Sequence, residues 1–147
     1  MKLSTKGRYA TRAMLDLAIH SGEGPILIKD ISRREGISKQ YLEQLLIPLR
    51  AMGLVRAIRG ARGGFMLTKP PSQIKLIEII QTIEGSTAPV ECVDDAKVCP
   101  RSDFCVTREI WSEMKRATDK VLESTTLQDL VERQKGSEQA KAVMYQI

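Results

Sequence analysis

The stretch Ile31-Ser32-Arg33-Arg34-Glu35-Gly36-Ile37-Ser38-Lys39-Gln40-Tyr41-Leu42-Glu43-Gln44-Leu45-Leu46 decides the fold. A short helix over Lys29 to Glu35 is stopped at Gly36, where a positive φ carries no steric cost. Ser38 is a good cap for the next helix, which the pattern carries to about Met52. Tyr41, Leu42, Leu45, Leu46 and Leu49 recur on one side of that helix and predict its buried face. Ile37 is placed to plug the crossing. Helix, Gly-containing turn, helix is the helix-turn-helix pattern, although any helical hairpin resembles it.

What flanks this stretch sharpens it. Downstream, Gly53 to Arg59 is an extended run, Gly60-Ala61-Arg62-Gly63-Gly64 a tight basic turn, and Phe65 to Thr68 a return strand. A β-hairpin with a Gly- and Arg-rich tip directly after the third helix makes a winged helix-turn-helix. Upstream, Ser4-Thr5 supply caps for a first helix reaching about Ser21, with Ala10, Ala13, Met14, Leu17 and Ala18 at helical spacing. Ile26-Leu27-Ile28 reads as a short strand.

Such a module predicts contact with double-stranded DNA. The third helix would enter the major groove, with Ser38, Lys39, Gln40, Glu43 and Gln44 near base edges; Gln can pair with adenine and Glu can accept from cytosine. Tyr41 has two readings, a phosphate contact or a core residue. Arg59 and Arg62 at the wing tip suit a narrow minor groove. Lys2, Lys6, Arg8 and Arg12 are candidates for backbone positioning. Charge agrees: of a net +5, residues 1–70 carry +8 and residues 71–147 carry −3. A basic half suits a polyanion, because each neutralised phosphate releases counterions.

The chain of 147 residues suits one domain plus an appendage. No apolar run is long enough to span a membrane and the start lacks the apolar stretch of a signal peptide, so a cytoplasmic location is expected. The expected class is mainly α with a small β-hairpin: a winged helix-turn-helix domain over residues 1–84, then a cysteine loop and long dimerisation helix over 85–135. Ile74 to Glu84 reads as an apolar helix ended by Gly85. The long helix spans about Asp103 to Glu123, with Val106, Ile110, Trp111, Met114, Ala117, Val121 and Leu122 as its stripe. A small domain has little core left for that stripe, so a second subunit is its expected cover, matching a pseudo-palindromic DNA site. Thr126 caps a last short helix to Gln134, and residues 136–147 read as a disordered tail.

The chain has three cysteines, Cys92, Cys99 and Cys105, spaced Cys-x6-Cys-x5-Cys. Cys105 is expected at the first turn of the long helix, where exposed N–H groups favour a thiolate. An odd count in a reducing compartment points to metal or redox chemistry rather than a disulfide framework. Structural zinc sites use closer Cys pairs and a fourth Cys or His, so a soft metal or an iron–sulfur cluster fits better than zinc. The alternatives are a thiol redox-switch repressor without a cluster, an electron carrier or enzyme, and a zinc-stabilised interaction module. No Gly-rich nucleotide loop and no paired acid–base residues support an enzyme.

The segments LSTKGRYATRAMLDLA, ISRREGISKQYLEQLL, GLVRAIRGARGGFMLTK and CVTREIW, together with the cysteine triad, resemble the Rrf-two family of bacterial regulators, over about residues 1–135. The IscR-type branch is the nearest. The resemblance implies a homodimeric winged-helix transcriptional regulator whose operator binding is tuned by an iron–sulfur cluster on Cys92, Cys99 and Cys105, a two-iron cluster before a four-iron one. Relatives of this kind control cluster assembly, iron handling or nitric oxide defence; CymR-type members lack a cluster. The chain departs from the IscR-type pattern at Arg108, where a histidine ligand is expected. Arg8 and Arg12 likewise replace ligands that other relatives take from a partner's first helix, and the first cysteine spacing is slightly long. The sole histidine, His20, reads as a surface residue. The fourth ligand is open among Glu91, Asp94, Asp95, Asp103, Thr107, Glu109 and water.

Overall fold

A computed structural model describes residues 2–146. Helix α1 (Thr5–Ile19) starts where the Ser4 hydroxyl accepts from the Gly7 N–H, and its apolar stripe, Ala10, Ala13, Met14, Leu17 and Ala18, is buried. Helix α2 (Ile28–Glu35) ends on Gly36 at φ 64°. Helix α3 (Lys39–Ala51) is capped by Ser38, whose hydroxyl accepts from the Tyr41 N–H at 3.2 Å. Leu42, Leu45, Leu46 and Leu49 face inward with Ile37 and Ile31. Burying each of those leucines contributes about 2 kcal/mol.

Strands β1 (Val55–Ile58) and β2 (Gly64–Leu67) form the antiparallel wing, in the register Val55–Leu67 to Ile58–Gly64. The tip demands glycine. Gly60 has φ 107°, and a Cβ on Gly63 would lie 2.1 Å from the Ile58 carbonyl oxygen.

The expected strand at Ile26-Leu27-Ile28 is reduced to one residue. Ile26 exchanges two 2.8 Å backbone hydrogen bonds with Phe65 on the free edge of β2. Leu27 then becomes the cap of α2 and Ile28 its first residue, so nothing is left to extend the pairing.

Helix α4 (Leu76–Glu84) packs against α1 and stops at Gly85, φ 79°. A short helix α5 (Glu91–Asp94) and two 3-10 turns (Ala96–Val98 and Ser102–Phe104) lead to α6 (Val106–Ser124). Helix α7 (Leu127–Tyr145) begins with a capping box between Thr126 and Asp129. The chain returns to the first module here: Leu76 N–H donates to Thr125 O and Leu127 N–H to Ile74 O, both at 2.9 Å. Leu127 and Val131 enter the same core as α1 to α4.

Helix α7 is also longer than the short helix ending at Gln134, and it continues through residues read as a disordered tail. Gly136 costs a helix only about 1 kcal/mol, and the strong helix formers around it outweigh that. From Glu132 to Gln146 every described residue is exposed.

Candidate nucleic-acid interface and thiol loop

On α3, Gln40, Glu43 and Gln44 are exposed on the side opposite the buried leucines, with Lys39 exposed beside them and Ser38 exposed at the helix start. Ser38 spends its oxygen lone pair on the cap, which leaves its O–H free to donate outward. Tyr41 packs its ring against the core. It is half-buried, and its ring meets Tyr9 edge-on with centroids 5.7 Å apart. Arg59 and Arg62 are exposed at the wing tip. Lys2, Lys6 and Arg8 are exposed near the start of α1.

Arg12 is engaged within the chain. Its guanidinium lies 5.3 Å from the centre of the Tyr9 ring, pairs with the Glu35 carboxylate at 3.3 Å and donates to the Glu35 carbonyl. It thereby ties α1 to the turn before α3, and a phosphate would have to compete for it.

A stronger tie lies deeper. Arg34 grips Asp16 with two hydrogen bonds of 2.8 Å, Nε to Oδ2 and Nη2 to Oδ1. Asp16 is 2% exposed. The hydrogen bonds to Asp16 raise the Arg34 pKa above its ordinary value against the opposing effect of burial. This bidentate pair ties α2, the helix before α3, to α1. One sequence signal pointed to it: Asp16 lies among Ala13, Met14 and Leu17 on an apolar stripe, and a buried carboxylate requires a partner.

The three cysteines are free and partly exposed, Cys92 in α5, Cys99 just after the first 3-10 turn, and Cys105 as the N-cap residue of α6. Cys105 therefore sits one position before the first turn that the sequence suggested. Its Sγ lies 3.1 Å from Thr107 Oγ1. That hydrogen bond, helped by the Arg108 and Thr107 backbone N–H groups, lowers its pKa toward the thiolate.

Among the described residues no three His, Cys, Asp or Glu side chains converge as a metal site. The donor chemistry nonetheless fits a soft cofactor: three unpaired thiols share one loop, one of them biased toward the thiolate. Between them, the buried Ser102 hydroxyl has no hydrogen-bond partner among the described residues. Arg108, which stands where a histidine was expected, instead clamps the loop. Its Nε donates to the Cys92 carbonyl at 2.8 Å and its Nη1 to the Ser102 carbonyl at 3.4 Å. Sequence gave no signal for this clamp, because its partners are backbone atoms.

The sequence profile of Rrf2, described as an iron-dependent transcriptional regulator, matches residues 3–133. The chain belongs to the Rrf2 family. It is 42% identical over 134 residues to the IscR regulator of Photorhabdus laumondii, covering 91% of this chain and 81% of that one. The solved structure of T. potens IscR superposes with a TM-score of 0.81 at 41% identity, covering 99% and 96% of the two chains. That of CymR, the global cysteine regulator of B. subtilis, gives 0.77 at 43% identity, covering 90% and 98%. This Rrf2 protein is thus a transcriptional regulator of winged-helix fold rather than an enzyme, and its family binds DNA. Regulators named IscR and CymR are thus both among its relatives, at 41% and 43% identity in the solved structures. No helix among the described residues is long and apolar enough to cross a membrane.

Proposed function

We propose that this Rrf2 protein is a homodimeric regulator that reads a pseudo-palindromic operator with α3 and the wing, and whose grip on DNA is tuned at Cys92, Cys99 and Cys105. The observation that carries the reading is Arg108, which joins the thiol loop at Cys92 and Ser102 to the start of α6. Any change at the cysteines is thereby felt by the helix whose exposed apolar residues Ile110, Trp111 and Val121 would pack on a second subunit. A shift of α6 changes the distance between the two recognition helices, and with it the affinity for two fixed half-sites.

The three thiols would hold an iron–sulfur cluster, two-iron before four-iron, which supplies a centre sensitive to iron supply, oxidation and nitric oxide. The protein's own residues do the rest. The Thr107 hydroxyl keeps Cys105 disposed to ligate. Arg108 holds the loop closed over α6, and Gln40, Gln44, Arg59 and Arg62 meet the duplex, with Lys39, Glu43 and Ser38 beside them. Tyr41 supports α3 from beneath.

A second reading, a cluster-free thiol switch, is favoured by one observation: all three thiols are free, and Thr107 draws the Cys105 thiol toward the reactive thiolate. Purification without oxygen separates the two. Iron and sulfide bound in stoichiometric amounts, and an operator affinity that changes when they are removed, are the expected result. Colourless, metal-free protein whose affinity changes on oxidation would establish the thiol switch instead. In either case Arg59→Ala should weaken operator binding by about 1–2 kcal/mol and reduce the salt dependence by about one counterion.

A further inference from the structure

One residue of α3 does not belong with its neighbours. Ile47 is 68% exposed, whereas Leu42, Leu45, Leu46 and Leu49 are at most 3% exposed. Its position explains why it is outside. Gln40, Glu43, Gln44 and Ile47 stand at i, i+3, i+4 and i+7 and form one continuous stripe along the exposed face. Homeodomain recognition helices read bases in the major groove with four residues at this same spacing. Lys39 and Arg50, both exposed, run along one edge of the stripe, as residues placed for a phosphate backbone would.

The chemistry of the fourth position is then specific. The major groove offers hydrogen-bonding edges at each base pair but a single kind of apolar group, the thymine C5-methyl. Gln and Glu at the first three positions match the former, and an isoleucine matches only the latter. Ile47 is also β-branched and stiff at χ1, so ordering it against a base costs little side-chain entropy.

We propose that Ile47 is a specificity-determining residue that packs on the C5-methyl group of a thymine in each operator half-site. The inference rests on α3 being the reading helix. Burying one methyl group contributes about 0.8 kcal/mol, or about fourfold in affinity.

The test uses a duplex recovered by in vitro selection from a randomised library with the unmodified protein. Each thymine is replaced in turn by deoxyuridine, which lacks only the methyl group. One position per half-site should weaken binding about fourfold. In Ile47→Ala that penalty should vanish, with thymine and uracil duplexes bound alike. Reselection with Ile47→Ala should relax the preference at that base pair alone. Since Ile47 is exposed, an unchanged melting temperature confirms that the variant is folded. A uracil scan that is silent everywhere, or a penalty that persists in Ile47→Ala, overturns the proposal. So does an altered subunit assembly in Ile47→Ala without any uracil dependence, because Ile47 would then face protein. Gln40→Ala and Arg59→Ala serve as references: if they lose affinity while Ile47 is silent, this inference alone fails, and if they too are silent, α3 is not the reader and both fall.

Discussion

Helices α3 and α6 are both amphipathic, yet one is covered and the other is not. Helix α3 buries four leucines against α1, α2 and the wing, and α6 buries none of its residues. Phe104 and Val106 at its start and Ile110 and Val121 along it are between 51% and 74% exposed. Where α6 does approach α4, the two leave a cleft lined by Leu3, Ile80, Met114 and Leu122. An apolar stripe thus tells which side of a helix must be covered, not what covers it. In α3 the cover is the chain itself. In α6 the chain covers Met114 and Leu122 in part and leaves Ile110 and Val121 open, and in the function proposed above a second copy covers them.

That contrast can be broken or sharpened by substitution. The largest effect is expected on the covered side. Arg34→Ala strands a buried carboxylate at Asp16 and should cost about 3 kcal/mol, read from the urea midpoint. A loss near zero would mean that α2 is not held by this pair. On the uncovered side, Ile110→Glu should preserve the helical circular dichroism spectrum while dissociating the dimer, seen as a fall in mass by sedimentation velocity. Operator affinity would drop at least tenfold with it. A variant that unfolds outright would show that α6 is packed within its own subunit, and the contrast would fail.

A smaller effect concerns how α6 is tethered. Asp119 accepts from Lys115 at 2.7 Å and from the Thr87 hydroxyl, joining α6 to the segment that leads into the thiol loop. Burial pushes the Asp119 pKa up, but these hydrogen bonds outweigh it and hold the pKa below the usual carboxylate range. A depressed folded-state pKa stabilises the fold above the unfolded pKa of about 4 and is lost as pH falls through the folded value. Asp119→Asn should therefore cost up to about 1 kcal/mol at pH 7 and nothing in strong acid. Equal costs at both ends of a pH series of urea titrations would exclude the ionic role. The smallest effect is expected at the end of α7. Ending the chain after Gln134 removes, among the described residues, only exposed ones and should change stability by less than about 0.5 kcal/mol. A larger loss would reveal a cover for this helix too.

The helix-turn-helix and wing were legible almost residue by residue. Gly36 in the left-handed region, Ser38 as a cap and the glycine-rich tip at Gly60 to Gly64 stand where local chemistry put them. Legibility failed where a segment's state depended on distant partners. Ile26 pairs with Phe65 and goes no further. Helix α7 joins the first core at Leu127 and Val131, then runs past Gly136 to Tyr145 through residues that read as a tail. Within the interface, the exposure of Gln40 and Arg59 followed from periodicity and turn position. The engagement of Arg12 with Glu35, and of Tyr41 with Tyr9, did not.

The sequence by itself determined the helix-turn-helix and wing, the apolar faces of their helices and the presence of three thiols between α4 and α6, because caps, glycine turns and apolar spacing act over a few residues. Only the tertiary structure decided that Asp16 is held by Arg34, that Arg108 clamps Cys92 through its carbonyl, and that Arg12 is engaged by Glu35. Such relations are set by how helices dock, and docking is a property of the whole core rather than of any one stretch of chain.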